Sequence, residues 1–309
     1  MDGALASQQP IFESVPREYS GGTMREIMIQ GARTRFWEYG NPQGSPLVLI
    51  HGFRGDHHGL ELIAAGLGSF RVIIPDLPGF GRSEPIPGAE HTVSTYASWL
   101  IDFVGAVAPR EPVHLVGHSF GSIICSYALN ARPGFVAALS LINPICQPAL
   151  EGDQRLVSAL ATLYYDAGAR LPAPLGFRLL RSGLVTRLSS EFMMKNSDPE
   201  LRKFINGQHD AYFGAFSSRE TVLQAYRASI THTAAEFSSG IREPVQMIVA
   251  EKDDLGSLEL QHQMFAGLKK GRFDLIPAVG HLIHYETPLR AATLLTDFHS
   301  ETVSKVETP

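Results

Sequence analysis

The chain has 309 residues, with 26 Lys or Arg and 31 Asp or Glu, so its formal net charge is −5 at pH 7. This length allows a large buried core, and the composition excludes disordered, collagen-like and disulfide-scaffold proteins. The basic residues are scattered rather than massed, which argues against nucleic acid or an anionic membrane as a partner.

The first ten residues, MDGALASQQP, contain an acidic residue where a secretory signal would be positive. No apolar run approaches the roughly 20 residues that a membrane span needs. We therefore expect a cytoplasmic protein that acts on a small molecule. Cys125 and Cys146 lie in apolar settings and are expected to be buried, reduced thiols. The sequence leaves the oligomeric state open.

From residue 24 onward, short apolar runs alternate with stretches of helical periodicity. This alternation predicts an α/β protein in which crossover helices join the strands of a mostly parallel, doubly wound sheet. The first two strands are predicted to form an antiparallel hairpin, with residues 30–33 between them. The predicted strands are 25–29, 34–38, 47–51, 71–75, 113–117, 137–142, 245–250 and 272–276.

Helix signals fill the gaps between the strands. Thr92 is a candidate N-cap for a helix with apolar residues at helical spacing, and Thr287 with Pro288 opens the last helix. Strand signals vanish between Pro144 and Glu243, where short amphipathic helices rich in aromatic residues and Met are predicted. This stretch is interpreted as an inserted helical domain.

The strand 113–117 runs into Gly117-His118-Ser119-Phe120-Gly121, and a helical run follows directly. In such a G-x-S-x-G turn the serine adopts strained backbone geometry that exposes its hydroxyl at the edge of the sheet. The flanking glycines are needed because a Cβ there would collide with the neighbouring strand and helix. Ser119 is therefore the candidate nucleophile.

Three other segments supply what a serine nucleophile needs. His51-Gly52-Phe53 follows a strand, so the Phe53 amide, beside the Phe120 amide, could hold an oxyanion. The acidic run 251–254 places a carboxylate after another strand, and His281 follows the last one. Each segment also has a plain structural reading as a helix cap or a loop residue. Their coincidence at the ends of strands favours one shared site.

Competing motifs fail. The pair Gly79 and Gly81 lacks the third glycine of a dinucleotide fingerprint, because Glu84 stands there. His57-His58 and the pair His281 and His284 lack further metal ligands at usable spacing, and no phosphate loop is present. The sequence therefore predicts neither a metal nor a cofactor.

The chain resembles the α/β-hydrolase fold superfamily along nearly its whole length. The matching segments are LVLIHGF (47–53), VIIPDLPGFGRS (72–83), VHLVGHSFGS (113–122), AEKDD (250–254) and VGHLIHYETP (279–288). The resemblance implies an eight-stranded sheet with a helical cap over the pocket. The expected organisation is a tail at 1–22, a core at 23–145 and 242–300, the cap at 146–241 and a tail at 301–309.

The resemblance also implies the roles of the site residues. Ser119 would be the nucleophile, His281 the base and Asp253, favoured over Asp254, the acid, with the Phe53 and Phe120 amides as the oxyanion hole. The substrate would be a small to medium hydrophobic carboxylic ester, cleaved through an acyl-enzyme. Its expected contacts in the cap are Tyr164, Tyr165, Phe192, Tyr212 and Phe213.

Several alternatives remain open on the same fold. Serine at the turn disfavours dehalogenase and epoxide hydrolase chemistry, because those relatives use Asp there. Relatives that hydrolyse carbon–carbon bonds often carry Asn before the nucleophile and Trp after the histidine, where this chain has His118 and Leu282. That activity, cofactor-free perhydrolysis and slow-turnover ligand reception are the remaining candidates.

Overall fold

The computed structural model describes residues 21–148 and 155–303. Its centre is an eight-stranded sheet in the order β1-β2-β4-β3-β5-β6-β7-β8. The strands are β1 (Thr23–Ile29), β2 (Ala32–Gly40), β3 (Pro46–Ile50), β4 (Arg71–Pro75), β5 (His114–His118), β6 (Ala138–Ile142), β7 (Val245–Ala250) and β8 (Gly271–Ile276). All eight predicted strands are confirmed, and the α/β-hydrolase fold class with them.

The first two strands form the predicted antiparallel hairpin, and β2 also runs antiparallel to β4. The remaining pairs, from β4 across to β8, are parallel. The hairpin loop is shorter than predicted, because only Gln30 and Gly31 lie between the strands. Both have positive φ, at 51° and 77°, the backbone that a two-residue hairpin turn with the natural strand twist requires.

Helices cover both faces of the sheet because each presents an apolar side to it. On one face Trp99, Phe103 and Ile123 pack into the larger core cluster, and on the other Ile63 and Leu295 pack into the second. The helices are α1 (Glu61–Ala65), α2 (Val93–Val107), α3 (Phe120–Ala131), α4 (Arg155–Arg170), α5 (Ala173–Leu180), α6 (Gly183–Met193), α7 (Pro199–Tyr212), α8 (Arg219–Thr231), α9 (Ala234–Ser238), α10 (Leu258–Ala266), α11 (Ile283–Glu286) and α12 (Pro288–Val303).

The helix starts agree with the sequence signals. The Thr92 side chain accepts from the Thr95 amide at the start of α2, as predicted for an N-cap. Pro288 opens α12, and this helix includes three residues that were assigned to the C-terminal tail. Of the predicted N-terminal tail, residues 1–20 lie outside the described part of the chain.

Of the residues described between β6 and β7, where the sequence predicts the inserted cap, six helices are formed, α4 to α9. The last of them differs from the others in what it covers. The α9 residue Phe237 packs edge-on against Tyr127 of α3, with ring centroids 4.9 Å apart, and the Ala234 amide donates to the Ile145 carbonyl. The short helix α9 therefore packs beside the sheet-covering helix α3.

Both cysteines are free and buried, as expected. Burial raises the pKa of the Cys146 thiol to about 12, with Asp253 as a smaller cause. The thiol is therefore protonated at neutral pH and unreactive.

Among the helices that the structure describes, none combines the length and the apolar character that a membrane span requires.

A polar chain crosses the buried sheet. His114 on β5 bonds to the Ser140 hydroxyl on β6 at 2.7 Å, and that hydroxyl donates to Gln246 on β7 at 2.8 Å. Burial, with His299 as a smaller cause, lowers the pKa of His114 to about 3. The folded protein therefore holds this imidazole neutral at pH values where the unfolded chain protonates it.

We expect His114 to make the protein sensitive to acid. Its stabilising contribution is complete above the unfolded pKa of about 6.5 and is lost at about 1.4 kcal/mol per pH unit as the pH falls toward 3. Urea unfolding at pH 7.5 and 5.0 should show that His114→Gln loses about 2 kcal/mol less than the wild type between the two pH values. Equal losses in the two proteins would contradict this account.

Candidate active site

Ser119 occupies a sharp bend between the end of β5 and the start of α3. Its φ of 53° and ψ of −119° lie in a region that L-residues rarely adopt. The Ser119 amide donates to the Ile142 carbonyl of the neighbouring strand β6 at 3.1 Å. The bend is thus fixed by the sheet and presents the serine at its carboxyl edge.

The two flanking glycines are required by close backbone contacts. A Cβ on Gly117 would lie 2.6 Å from the Gly121 carbonyl oxygen, and a Cβ on Gly121 would lie 2.3 Å from the Ile50 carbonyl oxygen. Both distances are far below van der Waals contact. Strand β3, strand β5 and helix α3 can approach this closely only because these positions lack side chains.

The Ser119 hydroxyl contacts a histidine that in turn contacts a carboxylate. His281 Nε2 lies 2.9 Å from Ser119 Oγ, and His281 Nδ1 lies 2.9 and 3.0 Å from the two oxygens of Asp253. The carboxylate attracts the Nδ1 proton, which leaves the Nε2 lone pair to accept from the hydroxyl. The arrangement can therefore remove the serine proton during attack.

The two neighbouring aspartates have different partners. Asp253 faces His281 and also accepts from the Leu255 amide at 2.9 Å, whereas Asp254 forms an ion pair with Lys195 from the segment after α6. The structure thus brings Asp253, and not Asp254, to the histidine.

Asn143, at the end of β6, holds the loops of both partners of the serine. Its side-chain nitrogen donates to the carbonyls of His281 (3.0 Å) and Gly280 (3.3 Å), while its side-chain oxygen accepts from the Ala250 amide (2.8 Å). Its φ of 45° is one that Asn tolerates better than most residues. The sequence gives no signal for this role, because the partners of Asn143 lie more than 100 positions away along the chain.

His118 and His284 lie beside His281 as neutral rings. Burial, with His281 as a smaller cause, lowers the pKa of His118 to about 3, and burial also holds the pKa of His284 well below its ordinary value. His118 Nε2 lies 3.3 Å from the His281 carbonyl oxygen. These rings are uncharged at neutral pH and place no cation against a protonated His281.

Glu286 joins the loop of His281 to the segment after α6. Its buried carboxylate accepts from the Gly280 amide at 2.8 Å and from the amides of Lys195 and Asn196 at 2.8 and 2.9 Å. Hydrogen bonds to a charged group are the strong kind. The sequence offered no signal for this contact beyond an acidic residue five positions after His281.

The predicted oxyanion donors lie on either side of Ser119. A Cβ on Gly52 would lie 3.1 Å from Ser119 Cβ and 3.5 Å from Oγ, so the peptide before Phe53 adjoins the hydroxyl. Phe120 begins α3, where the first amide has no acceptor within its own helix. The role of these two amides remains a prediction.

A cavity of about 250 Å³ opens at Ser119 and His281. Of the predicted substrate contacts, Tyr165, Tyr212 and Phe213 line it. Apolar groups missed by the sequence reasoning also line it, and these include Met193, Leu282 and Tyr285. The residues that line the cavity therefore come both from the stretch between β6 and β7 and from the rest of the chain.

The other two predicted contacts do not line this cavity. The Tyr164 hydroxyl donates to the Leu179 carbonyl at 2.9 Å, and the Phe192 side chain is 38% exposed on α6. Neighbouring helical residues point about 100° apart, so Tyr165 faces the cavity while Tyr164 bonds to the end of α5. Composition alone could not resolve this rotation.

A sequence model described as "Alpha/beta hydrolase family" matches residues 47–293. The chain belongs to this family. A pimeloyl-[acyl-carrier protein] methyl ester esterase of Methylococcus capsulatus is 29% identical over 273 residues, which cover 83% of this chain and 95% of the relative.

Other proteins are similar over different spans of the chain. Lipase 1 of Psychrobacter immobilis is 32% identical over 116 residues, 38% of this chain and 37% of the lipase, so the chain matches little more than a third of that relative's length. The structure of a thermophilic esterase from Thermogutta terrifontis gives a TM-score of 0.73 at 20% identity, covering 91% of this chain and 99% of that one. The structural likeness shows the shared hydrolase fold.

The structure brings a third possible metal ligand to the pair His57 and His58, for which the sequence predicts no further ligand. Within the described residues, Asp56, His57 and His58 bring ligand atoms within 4.8 Å of one another. Hydrogen bonds already engage them, because His57 Nδ1 bonds to Asp76 at 2.8 Å and His58 Nδ1 bonds to Asp56 at 3.0 Å. The absence of a metal from this family member remains a prediction.

We expect Asn143→Gly to weaken both the fold and the site. Glycine keeps the positive φ but removes the side chain, which leaves the buried Ala250 amide without its acceptor. The expected loss is about 1–3 kcal/mol of unfolding free energy, with a fall in kcat because the His281 loop loses its support. Urea unfolding and ester kinetics measure the two effects. Unchanged stability and kcat would show that Asn143 holds nothing in place.

Proposed function

We propose that this protein is a serine hydrolase that cleaves a small to medium hydrophobic carboxylic ester through an acyl-enzyme. The observation that carries the proposal is the chain of hydrogen bonds from Ser119 through His281 to Asp253, at the edge of a cavity. Relatives named as an esterase and a lipase support an ester as the substrate.

In the proposed first step, His281 Nε2 takes the hydroxyl proton as Ser119 Oγ attacks the ester carbonyl. Negative charge moves onto the carbonyl oxygen, where the Phe53 and Phe120 amides would hold it. The protonated His281, stabilised by Asp253, then gives its proton to the departing alcohol oxygen, and the bond from that oxygen to the acyl carbon breaks.

In the second step, water attacks the acyl-enzyme. His281 takes a proton from the water and returns it to Ser119 Oγ as the carboxylic acid leaves. The cavity favours a compact acyl group, because about 250 Å³ is at the lower end of ligand clefts. Its largely apolar walls would stabilise the bound acyl portion by about 25 cal/mol per Å² of apolar surface buried.

Short p-nitrophenyl esters and a serine-directed fluorophosphonate test the proposal together. We expect steady turnover of the esters, and a single adduct that mass spectrometry of the peptides locates at Ser119. A burst of nitrophenol without turnover would favour a slow ligand receptor on the same fold. The absence of both ester turnover and fluorophosphonate labelling would overturn the hydrolase proposal.

A further inference from the structure

Arg54 is a charged residue enclosed beside the candidate site. It follows Phe53 directly, is only 2% exposed and lines the same cavity as Ser119 and His281. Full burial is rare for arginine, which stays charged at all working pH values, unless an opposite charge accompanies it. Its surroundings therefore need an explanation.

The groups around Arg54 are formally neutral. Its guanidinium donates to the Phe213 carbonyl at 3.0 Å, to the Leu180 carbonyl at 2.7 Å and to the Tyr165 hydroxyl at 3.3 Å. Its central carbon also lies 4.7 Å from the centre of the Phe213 ring. Among the described residues, no Asp or Glu forms an ion pair with it.

Helix ends supply part of the missing negative charge. Leu180 is the last residue of α5, and Phe213 directly follows α7, so both carbonyls carry the partial charge of a helix C-terminus. The charge of each end, about half an electron, is spread over its last carbonyls, and only one carbonyl from each end bonds to Arg54, so no full negative charge faces the guanidinium. The carboxylate of Asp56, which also lines the cavity, is bonded to His58.

We propose that Arg54 recognises a carboxylate on the acyl part of the substrate, so that the preferred ester is the half-ester of a dicarboxylic acid. This inference rests on the proposed ester hydrolase function. A planar guanidinium in a largely apolar cavity suits a carboxylate better than any neutral group. Because no Asp or Glu of the described residues forms an ion pair with Arg54, a substrate carboxylate would supply an ionic partner that this part of the chain does not.

A purely structural role gives a different outcome. Arg54 joins the loop after β3 to α4, to α5 and to the end of α7, so its loss could loosen the cap. In that case every ester would suffer equally, and the melting temperature would fall. Recognition of a carboxylate affects only substrates that carry one.

The test compares monomethyl adipate with methyl 6-methylheptanoate, in which an isopropyl group replaces the carboxylate. We expect the wild type to favour the half-ester in kcat/KM by at least about tenfold. Arg54→Gln should lower kcat/KM for the half-ester by about 10–100-fold, mainly through KM, and change the neutral ester by less than about threefold. Arg54→Lys should recover part of the preference, because it keeps the charge.

Arg181→Gln is the matched control. Arg181 is an arginine of the cap, and its guanidinium carbon lies 5.1 Å from the centre of the Phe216 ring. Unlike Arg54, it does not line the Ser119 cavity. We expect this variant to keep the half-ester preference. Equal falls for both esters in Arg54→Gln, or a wild type that prefers the neutral ester, would overturn the inference.

A second measurement needs only the wild type. Adipate should slow fluorophosphonate labelling of Ser119 at a concentration at least about tenfold below that of the neutral adipamide. Equal protection would overturn the inference even if the Arg54 variants fail to fold. Hydrolysis of the neutral ester without a half-ester preference removes only the carboxylate specificity, whereas hydrolysis of neither ester removes the proposed function as well.

Discussion

Ser119→Ala is expected to lower kcat for ester hydrolysis by about six orders of magnitude. Alanine removes the atom that attacks the carbonyl, and His281 with Asp253 cannot act on the ester without it. The residual rate would reflect binding and the oxyanion donors alone. Initial rates with a p-nitrophenyl ester, together with loss of fluorophosphonate labelling, measure the effect.

Ser126→Ala provides the control on the same helix. Ser126 is a buried serine of α3 whose hydroxyl has no hydrogen-bond partner among the described residues, so its replacement changes the interior without touching the site. We expect full labelling and near-normal kcat in this variant. A loss of less than tenfold in Ser119→Ala would reject the serine mechanism.

Asp253→Asn is expected to lower kcat by about four orders of magnitude. The amide NH₂ of asparagine would donate to His281 Nδ1, so the ring proton would move to Nε2 and face the Ser119 hydroxyl. The histidine could then no longer accept the serine proton, although the shape of the site would be kept. Steady-state kinetics with one ester measures the loss.

Asp254→Asn is the matched control for this substitution. It removes the ion pair with Lys195, and part-exposed pairs of this kind contribute about 0–1 kcal/mol. We expect kcat to change by less than about fivefold. Comparable losses in the two variants would mean that the contact between Asp253 and His281 does not decide activity.

The sheet could be predicted because its signals are local. Each strand is a short apolar run bounded by turn residues, and β3, β5, β6 and β7 are buried on both faces, as parallel strands require. Ser119 and His281 could be found for the same reason, since Ser119 lies directly after such a strand and His281 lies five residues after another. The predicted and observed strands differ by at most two residues at either end.

The supporting contacts could not be predicted because they join distant parts of the chain. Asn143 meets the His281 loop 138 positions away, and Arg54 meets Phe213 159 positions away. Neither an asparagine nor an arginine in a sequence indicates which distant residue it will contact. Tyr164 and Phe192 lie outside the cavity lining for another reason, because aromatic residues are common on every side of the short helices between β6 and β7 and their rotation depends on packing.

Glu286 has a mechanical consequence for how the enclosed site can be entered. Its buried carboxylate accepts hydrogen bonds from amides of the His281 loop and of residues 195–196. A hinge motion at this point would separate this desolvated charge from its donors. Each lost bond would cost about 1.5–3 kcal/mol. The segment at residues 195–196 is therefore held firmly to the His281 loop. We expect substrate and product to enter and leave the cavity elsewhere along its rim.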